Sequence, residues 1–233
     1  MDSLMTRQTP PIVIPHKIAA LVLAAGLSSR MSEFKPLLKF GAKTVVERVI
    51  EVFWHAGVDD VRVVVGHRDH ELIPILQQRN IRWIKNNRYQ EGMLSSVKAG
   101  VASIEQDIDG FFVTPVDIPL VRTSTITALV DTFQKSGKLI FYPNFMGRRG
   151  HPPLISNQYR DEILLWGKPG GLKGFLREKE ALAIDVNVED KCILLDMDTP
   201  EDYQRLLEIF KGLQHFSGSL IEPSDKQWNR EDI

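Results

Sequence analysis

The sequence predicts an α/β fold: a doubly wound, mostly parallel, Rossmann-like sheet with a smaller inserted lobe. Three observations lead there. The first is the run Ile18-Ala-Ala-Leu-Val-Leu23, apolar at every position and followed by Ala24, Ala25 and Gly26. A strand apolar on both faces belongs in a parallel sheet that is covered on both sides. The second is the alternation of such runs with segments of helical periodicity along most of the chain. The third is composition: 233 residues, 43% hydrophobic and 25% charged, suit one well-buried globular domain.

The elements follow in order. Thr44 with Glu47 three residues later forms a capping box ahead of Val45, Val46, Val49, Ile50 and Phe53, so a helix begins there and ends near Gly57. Residues 61–65 form the next strand, stopped by Gly66. Residues 71–78 are helical with Pro74 early, and 81–85 are extended. A helix over 93–104 is entered from Glu91-Gly92. Residues 110–114 are a third apolar strand, followed by the turn Pro115-Val-Asp-Ile-Pro119. Ser124 caps a helix carrying Ile126, Leu129, Val130 and Phe133, and 139–142 is a strand.

The second half is less regular. Gly147-Arg-Arg-Gly150 reads as a turn, 152–155 as a strand, and 157–166 and 172–178 as helices separated by Lys168-Pro-Gly-Gly171. Residues 181–186 and 192–195 read as strands. Thr199 caps a last helix with Pro200 at its first position. The inserted lobe falls near residues 143–190. The organisation expected is a flexible N-terminal segment (1–16), one domain (17–211) and a polar, turn-rich tail (212–233).

Charge and cysteine usage exclude several functions. Lys plus Arg number 29 and Asp plus Glu 30, a formal net charge of −1, which gives no basis for extended nucleic-acid or membrane-surface contacts. Cys192 is the only cysteine, so neither an intramolecular disulfide nor a cysteine-rich metal site can form. No apolar run approaches the roughly 20 residues that span a bilayer. Pro10, Pro11 and Pro15 interrupt the N-terminal stretch where a signal peptide needs a helical apolar run, so the expected location is cytoplasmic. Small molecules are the expected partners, and the sequence does not specify an oligomeric state.

Three constellations can carry chemistry. In Leu23-Ala-Ala-Gly-Leu-Ser-Ser-Arg-Met31, small residues at a strand end let a flat base or a phosphate approach the backbone. The loop adds peptide N–H groups, two hydroxyls, Arg30 and, shortly after, Lys35, which is equipment for holding a triphosphate. A solvated βα loop is the competing reading. Neither a Walker A nor a dinucleotide fingerprint is present. In Thr114-Pro-Val-Asp-Ile-Pro119, prolines stiffen the chain on either side of Asp117 at a strand end. A carboxylate there suits Mg²⁺, which is usually held by one or two carboxylates together with phosphate oxygens and water. In Leu195-Asp-Met-Asp-Thr-Pro-Glu-Asp202, Asp196 and Asp198 are two apart and would face the same way on an extended segment. Either could give a second metal contact or bind a ribose, whereas Glu201 and Asp202 serve a helix N-terminus.

These strings together resemble the MobA-like nucleotidyltransferases. LAAGLSSRM with Lys35, Gly92-Met-Leu-Ser-Ser96, Pro115–Pro119, Gly147-Arg-Arg-Gly-His-Pro152 and 196–202 match that family's motifs in order, over roughly residues 18 to 210. The double alanine and the Gly-His-Pro are similar to the branch that uses CTP and molybdopterin rather than GTP. The resemblance implies a fold of the nucleotide-diphospho-sugar transferase type and Mg²⁺-dependent transfer of a nucleotidyl group, from CTP, to a phosphate acceptor. It implies that Leu23, Ala24, Ala25 and Gly26 lie against the nucleotide, that Arg30 and Lys35 contact its phosphates, and that Ser95 or Ser96 meets its base or ribose. Asp117 would hold Mg²⁺, with Asp198 and Asp196 as further acidic positions, and His151 would lie on the acceptor side. Arg30, Lys35 and Asp117 are the expected catalytic set.

Two departures stand out. Ser32 replaces the family's Gly after Arg-Met, and Gly167–Gly174 replaces its Gly-Asp-x-Gly-Ala-Arg segment on the acceptor side. Competing functions are a sugar-1-phosphate nucleotidyltransferase, a non-catalytic nucleotide-binding module, and a dehydrogenase, which the missing GxGxxG disfavours. His67 and His70 suggest a metal only weakly, because no third ligand is spaced for it, and Arg148-Arg149 is a solvated rim or an anion contact.

Overall fold

The computed structural model describes residues 16–28, 30–31, 33–136 and 139–216. Expectations for the N-terminal segment before residue 16, for Ser32 and for the chain after Phe216 lie outside them.

In chain order the elements are β1 (Ile18–Leu23), β2 (Lys39–Phe40), β3 (Lys43–Thr44), α1 (Val45–His55), β4 (Asp60–Val65), α2 (Asp69–Gln78), β5 (Arg82–Lys85), α3 (Met93–Ala102), β6 (Gly110–Pro115) and α4 (Thr123–Ser136). Then come β7 (Ile140–Phe145), β8 (Arg148–Arg149), β9 (Leu154–Ser156), α5 (Arg160–Leu165), α6 (Gly171–Glu178), β10 (Ala183–Asn187) and α7 (Pro200–Phe216). The main sheet runs β10-β7-β9-β6-β1-β4-β5, with β8 paired to β7. Its neighbours are parallel except where β9 meets β6 and β7, and where β8 meets β7.

β1 is buried along its whole length. Its alternate side chains feed two cores, as the period of a strand requires. Ala20 and Val22 pack with α1, α2, α4 and α7. Ala19, Leu21 and Leu23 pack on the other face with α3, α5 and α6. The apolar run at 18–23 therefore reads as a strand covered on both sides because it is one. The Thr44–Glu47 capping box is formed at the start of α1.

Several local expectations are corrected by tertiary contacts. Ser124 does not cap α4, which starts one residue earlier. The fully buried Asp190 instead anchors the start of α4, its carboxylate accepting from Arg122 N (2.9 Å), just before the helix, and from Thr125 Oγ1 (2.8 Å) in its first turn. The same carboxylate accepts from Cys192 N at 3.0 Å and winds 191–194 into a 3₁₀ turn, where the apolar pattern predicts a strand. Cys192 and Ile193 are buried in that turn, so apolar content there reflects burial rather than extension. Arg148 and Arg149 are a short strand rather than turn residues; the two-residue turn is Met146-Gly147, both at positive φ, as tight hairpins require. Residues 143–190 are continuous with the main sheet rather than a separate lobe, because β7, β9 and β10 extend it. Gly212 lies within α7, which continues to Phe216.

Candidate functional site

The chain leaves β1 toward β4 and β5, then returns to β6 on the opposite side of β1. In open α/β sheets, a crevice for ligands opens at such a reversal, beyond the carboxyl ends of the strands. Of the residues singled out from the sequence, Arg30, Lys35, Asp117 and Asp198 meet there.

The loop after β1 is pinned by its neighbours. Val116 N donates to Leu23 O (3.1 Å), Ala24 N to Val64 O (2.8 Å) and His67 N to Ala25 O (3.2 Å). Ala24 and Ala25 are each 1% exposed, and Gly26 has open space where a Cβ would stand. The chain then turns through Ser28, at φ 52°, and arrives at the 3₁₀ turn Lys35–Leu37. This places the buried Lys35 beneath the loop.

Lys35 Nζ lies 2.9 Å from Asp198 Oδ1 and 3.3 Å from Asp117 Oδ2, and Arg30 donates to the other Asp198 oxygen. Three backbone relationships hold this group. Asp117 O accepts from Met197 N at 2.9 Å, tying the β6 turn to the segment before α7. Asp202 accepts from Asp198 N (3.2 Å) and Thr199 N (2.9 Å). Its own N–H donates to Thr199 Oγ1 (3.2 Å), so Thr199 and Asp202 form a reciprocal cap that orients Asp198. Burial pushes the Asp117 carboxyl above the usual range, and the nearby Asp198 charge adds to that, while Lys35 opposes it. The Lys35 hydrogen bond holds Asp198 below its usual range. Ser28, Arg30, Lys35 and Asp198 line a depression of about 150 Å³.

On the β4 side, Ala25 faces Gly66. A Cβ at Gly66 would stand 2.8 Å from Tyr89 Cβ and 2.9 Å from Ala25 Cβ, so only glycine lets these segments meet. Next to them, buried Asn86 follows β5. Its Nδ2 donates to Ser95 Oγ (2.9 Å) and Ser96 Oγ (3.0 Å), and its Oδ1 accepts from Arg88 N (2.9 Å). Sequence reasoning found Ser95 and Ser96 but missed Asn86 and Gly66. A polar amide directly after an extended segment, ten residues before Ser96, was the available signal.

Asp196 and Asp198 line different depressions. Asp198 belongs to the first depression, whereas Asp196 lines a second one of about 180 Å³ with Ile118, Arg149, Gly150, His151, Ile193 and Leu194. A Cβ at Gly150 would stand 2.3 Å from Ile193 O, and His151 N donates to that oxygen at 2.9 Å. The His151 side chain is solvent-accessible, yet the surrounding protein lowers its imidazole pKa by desolvation, with Asp196 opposing. Arg149 is not a free cation: it pairs with Glu180 (2.7 Å) and Asp185 and lies over the Tyr142 ring. None of the residues lining this depression comes from 167–174; that segment instead leads into α6, with Gly171 facing Leu94 of α3.

His67 packs its ring toward Phe34 and Tyr89. Among the described residues, no three His, Cys, Asp or Glu side chains gather as a metal cluster. Among them, too, no helix is long and apolar enough to cross a membrane.

Comparison with known proteins places the fold and the family. The MobA-like NTP transferase domain matches residues 20–183. The molybdenum cofactor cytidylyltransferase of Escherichia coli K12 is 29% identical over 191 residues, covering 80% of this chain and 93% of that protein. The bifunctional protein GlmU of Francisella tularensis subsp. novicida is 32% identical over 121 residues, but these cover only 49% of this chain and 25% of GlmU. Among solved structures, Rv0371c of Mycobacterium tuberculosis superposes with a TM-score of 0.73 at 25% identity, over 84% of this chain and all of that one. A manganese complex of the same mycobacterial protein superposes with a TM-score of 0.69 at 23% identity, over the same shares of the two chains. The family match spans residues 20–183, more than half of the chain: this protein belongs to the MobA-like NTP transferase family and is a nucleotidyltransferase.

Proposed function

We propose that the protein transfers a cytidylyl group from CTP to the phosphate of molybdopterin, releasing pyrophosphate, with Mg²⁺ held by Asp117 and Asp198. The observation that carries this reading is the Lys35 ammonium shared by Asp117 and Asp198 at the reversal of strand order, with Arg30 on the outer oxygen of Asp198. Two carboxylates of unlike environment that converge on one cation suit a hard divalent ion that keeps phosphate oxygens and water as its other ligands. When bound, such an ion neutralises charge on the phosphates and polarises the reacting phosphorus. The manganese complex of the mycobacterial relative supports a divalent ion in this fold.

The chain's own groups position and neutralise. An oxygen of the acceptor phosphate forms a bond to the α-phosphorus of CTP. The bond from that phosphorus to the bridging oxygen breaks, and pyrophosphate leaves with the electron pair. Lys35 and Arg30 offset the charge on the departing pyrophosphate. A phosphate acceptor is already ionised at neutral pH, so no general base is needed. The base and ribose lie along Leu23, Ala24, Ala25 and Gly26 toward Ser95 and Ser96. The acceptor occupies the second depression, where His151 with its lowered pKa offers hydrogen bonds without adding a positive charge at neutral pH. Asp196 sits on that side and is assigned to the acceptor rather than to the metal.

A sugar 1-phosphate acceptor is the second reading, because the same nucleotide half could serve another phosphorylated acceptor. The match to the cytidylyltransferase extends much further along this chain than that to GlmU, which favours the pterin. Pyrophosphate release from CTP, GTP, UTP and ATP, each with Mg²⁺ and either molybdopterin or N-acetylglucosamine 1-phosphate, tests both. Turnover is expected with CTP and molybdopterin. Turnover with the sugar phosphate alone would overturn the assignment of the acceptor, and preference for another nucleotide would overturn that of the base.

A further inference from the structure

We propose that Asn86 is a specificity-positioning residue: it fixes the direction of the Ser96 hydroxyl so that its proton is presented to the nucleobase, and thereby selects a base by its acceptor edge. The inference deepens the functional reading above, because it rests on the base lying beside Ala25 and α3.

The orientation of Asn86 follows from its partners. Oδ1 accepts from the Arg88 backbone N–H, a group that can only donate, so the amide nitrogen must face the other way. Its two hydrogens are then divided between Ser95 Oγ at 2.9 Å and Ser96 Oγ at 3.0 Å. Asn86 is 4% exposed and Ser96 5%, so this geometry is set inside the protein rather than by solvent.

The two serines differ in what remains. Ser95 Oγ lies 2.8 Å from both Arg88 O and Gly92 O, and its single proton is used on one of these carbonyls. Ser96 Oγ accepts from Asn86, and among the described residues its own proton is given no acceptor. With the lone-pair side of the hydroxyl engaged by the amide, Ser96 is an oriented donor in a nearly dry wall. Leaving such a donor unpaired is unfavourable, so a base that supplies an acceptor is preferred over one that presents N–H groups. Cytosine offers N3 and O2 as adjacent acceptors on its pairing edge. Guanine presents N1–H and an amino group over the same edge.

Asn86→Asp separates this role from a structural one. The substitution keeps the volume and can still accept from Arg88 N–H, but it turns both serine bonds around, since a carboxylate accepts. Ser96 then points its proton inward and its lone pairs at the base. Calorimetric titration of wild type, Asn86→Asp, Ser96→Ala and the double variant with CTP, GTP and UTP, with Mg²⁺, reads the effect, and melting temperatures report the fold. The ratio of affinities for the preferred nucleotide over the others is expected to fall at least tenfold in Asn86→Asp. It is expected to fall by a similar factor in Ser96→Ala, and no further in the double variant. Equal weakening for every nucleotide, or multiplying losses in the double variant, would overturn the proposal and leave Asn86 as a packing residue. If wild type prefers uracil, the assignment of CTP fails, yet the same non-additive loss of that preference would still uphold Asn86; a preference for guanine, which presents N–H groups on that edge, would overturn both. A wild type with no base preference would overturn both.

Discussion

The ammonium of Lys35 lies 3.3 Å from Oδ2 of Asp117, although 82 residues separate them in the chain. The two are brought together because β1 and β6 are neighbouring parallel strands whose carboxyl ends open on the same crevice. The same ammonium is closer to Asp198, which α7 delivers from the far end of the domain. One cation thus organises two carboxylates of different character, one mostly buried and raised in pKa, the other accessible and lowered.

Asp117→Asn is expected to reduce turnover at least about 100-fold while preserving the fold. Because the folded-state pKa of Asp117 is raised, the native state holds its proton more tightly than the unfolded chain does. Wild-type stability through this group therefore decreases as pH rises from the ordinary carboxylate range through the raised value. The variant should lack that decrease. Melting temperatures from pH 4 to 7, beside pyrophosphate release at pH 7, check both parts.

Lys35→Ala should weaken CTP binding far more than CMP binding, by about tenfold or more in the ratio of the two affinities. It also leaves Asp117 without its cation, so a loss of about 1–3 kcal/mol in stability is expected at neutral pH. Calorimetry with the two nucleotides and urea denaturation measure these effects. Equal losses for both ligands would refute a role in holding the outer phosphates.

Gly150→Ala separates the two depressions. Its Cβ would meet Ile193 O at 2.3 Å, a backbone atom that cannot swing aside. The loop carrying His151 must therefore shift, and the expected result is a raised KM for the acceptor with nearly unchanged affinity for CTP. Steady-state kinetics with each substrate varied in turn reads the split.

His151→Gln tests the second depression through pH. The folded-state pKa of His151 is below its ordinary value of about 6.5, so the unfolded chain binds the proton more readily. Wild type should gain stability through this group as pH rises from the lowered value to about 6.5. The variant should lack that gain, as urea midpoints across pH 5 to 7.5 would show.

Asp190→Ala should be destabilising by about 2–4 kcal/mol, because the buried carboxylate accepts from Arg122 N, Thr125 Oγ1 and Cys192 N. Its bond to Cys192 N winds the turn that supplies Ile193 and Leu194 to the second depression, so CTP affinity per folded molecule should persist below the melting transition while the KM for the acceptor rises. Thermal denaturation and activity at low temperature are the measurements.

The sequence by itself determined the fold class, the strand β1 and the start of α1. These are written in short-range patterns: an unbroken apolar run at 18–23 and a capping box at Thr44 and Glu47, where neighbours in the chain are also the interacting partners. It also marked Arg30, Lys35, Asp117 and Asp198 as chemically apt, since residue type and loop position suffice for that. What only the tertiary structure decided were relationships between distant segments. Asp190, not Ser124, anchors the start of α4, and it turned an expected strand into a 3₁₀ turn. Asp196 was separated from Asp198, and Asn86 was joined to Ser96. A local pattern records what a residue can do, but a hydrogen bond or ion pair across the sheet depends on register and strand order. In this chain those are set by burying both faces of β1 at once.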